Sequence, residues 1–140
     1  HNCIIGENTI IAGCVGIAGS AKIGKNCSFT AYCEIRENVV VGDGTTMGSR
    51  CTISAKATIG ENCVIKYSFV LTDTPDLKAN DKKVVKGVGD NTLIGANVTL
   101  MPGKSIGSNC VIGACSQIRK DVPDNETWYG SPAVFLKKNK

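Results

Sequence analysis

The chain has 140 residues, which suits one domain. It contains sixteen glycines and only seven aromatic residues (three Tyr, three Phe, one Trp), a balance that disfavours a helical bundle and favours tightly wound β-structure. The net charge is +4, and many lysines lie in residues 78–86 and 137–140 without interleaved aromatic residues. We therefore expect a solvated loop and tail, no nucleic-acid partner and, since the apolar runs are short, no membrane span.

The chain follows a six-residue period from its start. Every sixth position is large and apolar: Ile5, Ile11, Ile17, Ile23, Phe29, Ile35, Val41, Met47, Ile53, Ile59, Ile65 and Leu71. After an interruption the series resumes at Val88, Ile94, Leu100, Ile106, Ile112 and Ile118. A chain with 42% hydrophobic residues would almost never produce this series by chance, and a fixed period is typical of solenoids.

Other positions of the six-residue unit are also regular. Gly often follows the apolar residue, at Gly6, Gly24, Gly42, Gly48, Gly60, Gly89, Gly95, Gly107 and Gly113. The third residue after it is often Asn or Gly, at Asn8, Asn26, Asn38, Gly44, Asn62, Asn91, Asn97, Gly103 and Asn109. Asn and Gly accept positive φ easily, as a sharp corner requires. Each unit therefore predicts a short strand and a turn.

Three units predict one triangular coil of 18 residues. Successive coils should stack about 4.8 Å apart as parallel sheet. We expect six coils within a single domain, four of them in residues 1–71 and two in residues 88–120. The chain opens in the middle of a unit, so we also expect sequence upstream of His1.

Six of the eight cysteines lie two residues before an apolar position, where the other residues are also small: Cys3, Cys27, Cys33, Cys51, Cys63 and Cys110. We interpret these six as core residues and expect Cys33 to stack on Cys51. Cys14 and Cys115 fall at corners and are expected to be exposed. No C-x-x-C pair indicates a zinc or redox site, and free thiols favour a reducing cytoplasm.

Residues 72–87 interrupt the period with a proline and several charged side chains. A loop of this length on a compact solenoid is usually functional or disordered, and we expect this one to be functional. Residues 121–140 are expected to form a C-terminal cap and tail, in which the Asp121–Asp124 segment ends the repeat and Trp128 lies in the cap. Such a cap protects the edge of the last coil.

The whole pattern resembles the hexapeptide-repeat acyltransferases. Residues 1–27 (HNCIIGENTIIAGCVGIAGSAKIGKNC) are similar to a segment of the UDP-3-O-acylglucosamine N-acyltransferases, and the remainder resembles sugar and small-molecule acetyltransferases. The second resemblance includes the closing pattern Lys120–Pro123 followed by Gly130–Ala133. A switch of this kind is what a chimeric or mosaic chain would show. The resemblance implies a left-handed parallel β-helix, an acyl-CoA donor and a homotrimer with active sites between subunits.

The resemblance also implies site residues. His1 corresponds to the general base of the first family, and His is the usual base because its pKa lies near working pH. Small residues that could flatten a face for the pantetheine arm, with cations for the phosphates, form the predicted cofactor site: Gly95, Ala96, Gly113, Ala114, Ser116, Arg119 and Lys120. Asp73 and Asp76 in the loop are the predicted acceptor contacts, and no metal is expected.

These residues predict transfer of an acetyl or short acyl group from acetyl-CoA or another acyl-CoA to a sugar or other small hydroxyl or amine acceptor. The alternative is a scaffold, natural or engineered, that retains the coils without a working site. The scarcity of histidine and the abrupt N-terminus favour the alternative. Two departures from the family pattern also weaken the acetyltransferase interpretation. Val134 stands where the acetyltransferases usually have Arg, and residues 72–77 contain no His.

Overall fold

The computed structural model describes residues 2–73 and 86–140, and these residues form a parallel β-helix. Most strands contain two residues, because a corner follows every strand within the six-residue unit. Strands 18 residues apart pair in parallel and in register, as Ile5 does with Ile23. The architecture is the left-handed parallel β-helix of about six coils that the sequence predicts.

The coils have three faces, which we call A, B and C. Face A contains β1 (Ile4–Ile5), β4 (Lys22–Ile23), β7 (Val40–Val41) and β10 (Thr58–Ile59). Face B contains β2 (Ile10–Ile11), β5 (Ser28–Phe29), β8 (Thr46–Met47), β11 (Val64–Ile65), β13 (Leu93–Ile94), β15 (Val111–Ile112), β17 (Glu126–Gly130) and β18 (Ala133–Lys138). Face C contains β3 (Gly16–Ile17), β6 (Glu34–Ile35), β9 (Thr52–Ile53), β12 (Val70–Leu71), β14 (Thr99–Leu100) and β16 (Gln117–Ile118). The chain passes from A to B to C and back to A.

The core is a narrow prism filled by the predicted apolar series. From Ile23 onward its members are buried, and the small residues two positions earlier are buried beside them. Ile5 is an exception with 43% of its surface exposed, and Ile11 and Ile17 are only partly buried. These three belong to the first coil, and no described coil packs on its outer side. The six-residue apolar series would place every member in the core if all coils were covered on both sides, and this is wrong for Ile5.

The buried cysteines are core residues, as predicted, and their thiols are paired with backbone carbonyls. Cys33 Sγ donates to Gly48 O at 3.1 Å, and Cys51 Sγ donates to Lys66 O at 3.2 Å. The hydrogen bond with Cys51 lowers the pKa of Cys33 to about 7, although burial opposes this shift. Among the described residues every cysteine is free, and Cys14 and Cys115 are exposed as predicted.

The corners adopt positive φ, as predicted. On the edge between faces A and B (the AB edge) these residues are Asn8, Asn26, Gly44, Asn62, Asn91, Asn109 and Asn125. On the edge between B and C (the BC edge) they are Cys14, Tyr32, Arg50, Ser68, Asn97 and Cys115, and on the CA edge they are Asn2, Ser20, Asn38, Lys56 and Gly103. Side chains such as Tyr32 and Arg50 do not favour this conformation by themselves. The stacked coils impose it there, because both corner amides bond to the preceding coil, Tyr32 N to Gly13 O at 3.3 Å and Arg50 N to Ala31 O at 3.2 Å.

The interruption of the period replaces one corner on the CA edge. The strand before it ends at Leu71, and the coil resumes at Val88, which bridges Ile59 on one side and Ile106 on the other. Face A therefore continues across the interruption. Residues 74–85 of the predicted loop lie outside the described residues.

The repeat continues further toward the C-terminus than the sequence indicates. Val122 is buried and bridges Ile106, and Trp128 occupies the face B position above Ile112. The last corner on the CA edge, between Ile118 and Val122, is two residues shorter than usual, so Val122 falls outside the six-residue series. After this partial coil the chain reverses, and β18 pairs with β17 in the antiparallel direction. These pairings show that the Asp121–Asp124 segment does not end the repeat, so that expectation is wrong.

An ion pair in this C-terminal sheet predicts a pH effect on stability. Glu126 accepts a hydrogen bond from Trp128 Nε1 at 2.9 Å and lies 2.7 Å from Lys138 Nζ. The hydrogen bond from Lys138 and then that from Trp128 lower the pKa of Glu126. Because the pKa is lower in the folded state, this stabilisation is fully present above the unfolded pKa of about 4.3 and is lost as the pH falls through the folded value.

We expect the urea midpoint, followed by the fluorescence of the single tryptophan, to fall more steeply below about pH 4.3 in the native protein than in Glu126→Gln. The matched control is Glu7→Gln at an exposed corner, which should keep the native pH profile. Identical profiles for the native protein and Glu126→Gln would contradict this assignment.

Candidate functional site

A shallow groove of about 470 Å³ lies on face B across three coils. Its apolar walls include Val64, Leu93 and Val111, which are in register on neighbouring strands. Gly95 and Gly113 follow the strands and add no side chain, so the floor is flat there. The coils are closely packed, since a Cβ at Gly95 would lie 2.7 Å from Ala114 N. The groove can accommodate a slender, mostly apolar ligand.

Three of the predicted cofactor residues line this groove, namely Gly95, Gly113 and Ala114. Ala96 lies next to them at the BC edge and is half-buried. Ser116 does not lie on this surface. It is buried in the core, where its hydroxyl donates to Gly113 O at 2.7 Å and accepts from Gly130 N at 3.0 Å.

The structure does not bring the predicted phosphate-binding cations to the groove. Arg119 and Lys120 follow β16 and are exposed between faces C and A, while the groove lies on face B. Arg119 Nε donates to Gln117 Oε1 at 2.6 Å. The cation that does line the groove is Lys66, which the sequence interpretation missed. Lys66 could have been found from the sequence, because it follows Ile65 at a position of the unit where Gly is frequent.

A second groove, of about 480 Å³, lies on face C where the chain enters the interruption. Its lining includes Asp73, which was predicted to contact the acceptor, together with Arg36 and Thr72. Arg36 Nε pairs with Glu37 Oε1 at 3.0 Å, and Arg36 NH1 lies 3.8 Å from Glu34 Oε1. The hydrogen bond and charge of Glu37 raise the pKa of Arg36, and Glu34 and Asp73 add smaller contributions.

Two hydroxyls in the second groove, those of Ser54 and Thr72, are bonded to the coils. Ser54 Oγ donates to Leu71 O, and Thr72 Oγ1 donates to Leu100 O at 2.7 Å. The polar character of this groove therefore comes mainly from its charged side chains, which suits a polar acceptor. Asp76, the other predicted acceptor contact, lies outside the described residues.

The predicted base, His1, also lies outside the described residues, so its position relative to either groove stays a prediction. Within residues 2–73 and 86–140, no three His, Cys, Asp or Glu side chains come together as a metal site. The same residues include no helix that is long and apolar enough to cross a membrane.

Two family models match parts of the chain. The model described as bacterial transferase hexapeptide (six repeats) matches residues 87–120, and the model described as hexapeptide repeat of succinyl-transferase matches residues 38–66. Both matched segments therefore resemble repeats that are found in bacterial transferases. The resemblance to this repeat family is thereby confirmed.

The chain also matches curated enzymes over a short segment. It is 69% identical over 29 residues to the UDP-3-O-acylglucosamine N-acyltransferase of Herminiimonas arsenicoxydans, and equally to that of Janthinobacterium sp. (strain Marseille). Each match covers 21% of this chain and 8% of the relative. The match thus spans less than a tenth of the length of these relatives.

Solved structures share the fold over longer stretches. A mutant of AntD, an N-acyltransferase from Bacillus cereus in complex with dTDP and coenzyme A, is similar with a TM-score of 0.84 at 18% identity, over 99% of this chain and 84% of that one. A maltose O-acetyltransferase from Clostridium difficile 630 has a TM-score of 0.70 at 23% identity, over 98% and 70% of the two chains. Soybean serine acetyltransferase has a TM-score of 0.63 at 30% identity, over 70% and 40%.

Proposed function

We propose that this protein is an acyltransferase that moves an acetyl or short acyl group from acyl-CoA to a sugar or other small hydroxyl or amine acceptor. The observation that carries this proposal is the face B groove, whose flat floor of Gly95, Gly113 and Ala114 fits an extended pantetheine arm. The comparisons support the class of reaction, because the similar proteins are named as acyl- or acetyltransferases and AntD is described in complex with coenzyme A.

The two grooves suggest how donor and acceptor meet. The apolar groove on face B suits the donor, and the charged groove on face C suits a polar acceptor. Within one subunit the two grooves lie on different faces of the prism. In the homotrimer that we propose, face B of one subunit packs near face C of the next, so that both grooves open into one cleft between subunits.

The chemistry needs a base for the proton of the acceptor and a donor for the oxyanion that forms at the thioester carbon. His1, the single histidine of the chain, is the proposed base. Asp73 is the proposed orienting group for the acceptor, because a solvated carboxylate is a weak base. The eight cysteines, free wherever the structure describes them, support a reducing, cytoplasmic location as part of the same proposal.

Binding of acetyl-CoA tests the donor site. In Ala114→Trp the indole should fill the groove and weaken acetyl-CoA binding about tenfold or more, which corresponds to about 1.4 kcal/mol. Gly13→Trp is the matched control, because Gly13 occupies the same position of the unit on the BC edge of the first coil and has open space around it. Binding is measured by equilibrium dialysis, and turnover by thiol release with a panel of amino sugars.

The results separate the enzyme from the scaffold alternative. Binding of acetyl-CoA that Ala114→Trp weakens and Gly13→Trp retains supports the proposal. Absence of binding at millimolar acetyl-CoA would leave the scaffold without a working site as the better description. Turnover that is unchanged in His1→Ala would remove His1 as the base and leave the donor site standing.

A further inference from the structure

The BC edge has corner residues that the corner conformation does not favour. All seven positive-φ residues of the AB edge are Asn or Gly, which adopt this conformation readily. The BC edge instead has Tyr32 with φ of 66° and Arg50 with φ of 64° in successive coils. A bulky residue in this region is held against its own preference, and such residues concentrate at functional sites.

Tyr32 and Arg50 form an exposed pair on this edge, and Tyr67 lies on the same edge one coil further along. The guanidinium carbon of Arg50 lies 5.7 Å from the centroid of the Tyr32 ring, a cation–π arrangement. Tyr67 leans toward the same coil, because a Cβ at Gly48 would lie only 2.6 Å from Tyr67 Cδ1. Because Gly48 has no side chain, the Tyr67 ring can pack in the space beside it. Tyr32 is 59% exposed and Tyr67 is 62% exposed, so ring surface remains available to a ligand.

The charge around this cluster favours an anion. The corner residues of the BC edge include no acidic side chain, whereas those of the AB edge include Glu7, Asp43, Glu61, Asp90 and Asp124. Among residues 2–73 and 86–140, no carboxylate forms an ion pair with Arg50. Lys66, next to Tyr67 in the chain, adds a second cation and connects the cluster to the face B groove.

We propose that the Tyr32–Arg50–Tyr67 cluster binds the nucleoside diphosphate part of a substrate. The tyrosine rings offer faces for the base, and Arg50 with Lys66 offers N–H donors for the phosphates. Two substrates could supply this group, namely the acyl-CoA donor and a nucleotide-linked acceptor. The relation of this site to acyl transfer rests on the proposed function, but nucleotide binding does not.

Titration calorimetry with UDP and ADP tests the site. Tyr32→Asn and Arg50→Asn should each weaken binding of the probe about tenfold or more, since base stacking and charged phosphate contacts contribute at this level. The matched control is Lys56→Asn, which also replaces a bulky corner residue, with φ of 69°, but on the CA edge. It should leave nucleotide affinity unchanged.

Thermal unfolding separates binding from folding. Asn tolerates positive φ better than Tyr, Arg or Lys, so all three variants should keep or raise the melting temperature. A loss of affinity without a loss of stability supports the proposal. Absence of UDP and ADP binding at millimolar concentration, or equal affinity in the native protein and Arg50→Asn, would overturn it.

Saturating CoA then identifies the source of the nucleotide. Exclusion of both probes by CoA supports the site with the donor as its substrate, and simultaneous binding supports it with a nucleotide-linked acceptor. Failure of the two proposals is distinguishable. Nucleotide binding at the cluster without acetyl-CoA binding in the groove would defeat the acyl transfer proposal alone, and the reverse would defeat this inference alone.

Discussion

Replacing Gly87 with alanine is expected to destabilise the protein by about 3–5 kcal/mol, which places it among the severe single substitutions. A Cβ at position 87 would lie 1.7 Å from Thr58 O and 2.7 Å from Thr58 C. Both are backbone atoms of the neighbouring coil, so no side-chain movement can relieve the overlap. The same Thr58 carbonyl accepts the amide of Val88 at 2.9 Å, the bond that restores the coil after the interruption.

Urea unfolding followed by the fluorescence of Trp128 measures this effect. The matched control is Gly13→Ala, because a Cβ at Gly13 would have no atom within 4 Å. We expect that control to change stability by less than about 0.5 kcal/mol. Equal midpoints for the two variants would show that the return of the chain at Gly87 tolerates a side chain, contrary to the packing described above.

Truncation of Phe69 to alanine is expected to cost about 3–5 kcal/mol, the range for deleting a buried aromatic side chain. Phe69 is completely buried in the core beneath the BC edge. It occupies the position that small residues fill in the adjacent coils, at Cys51 and Val98. These small neighbours are too short to fill the space, so the cavity should remain and the full effect should appear.

Tyr67→Ala is the control for this truncation, since it removes a similar ring two residues away that is 62% exposed. We expect it to reduce stability by less than about 1 kcal/mol, well below the effect of Phe69→Ala. The comparison uses urea midpoints under identical conditions. A Phe69→Ala variant as stable as Tyr67→Ala would mean that the core closes around the missing ring.

Part of the candidate site could be anticipated from the repeat, and Ser116 shows why another part was misplaced. Gly95, Gly113 and Ala114, which were predicted to contact the cofactor, line the groove because they occupy positions outside the core. Ser116 was predicted with them on the basis of its small size alone. It lies two residues before an apolar position, the phase of the buried column, and the structure places it in the core.

The six-residue period by itself determined the stacked three-sided coils, the buried series from Ile23 onward and the positive-φ corners, because these depend only on the phase of a residue within its unit. The left-handed sense of the coils was implied by the family resemblance. The tertiary structure decided which face each unit occupies after the interruption, because the bridges of Val88 to Ile59 and Ile106 return the chain to face A. Arg119 follows Ala114 closely in sequence but lies beyond face C, since each unit turns the chain onto the next face. Tyr32, Arg50 and Tyr67 are separated by 18 and 17 residues, and only the stacking of coils brings them together at one edge.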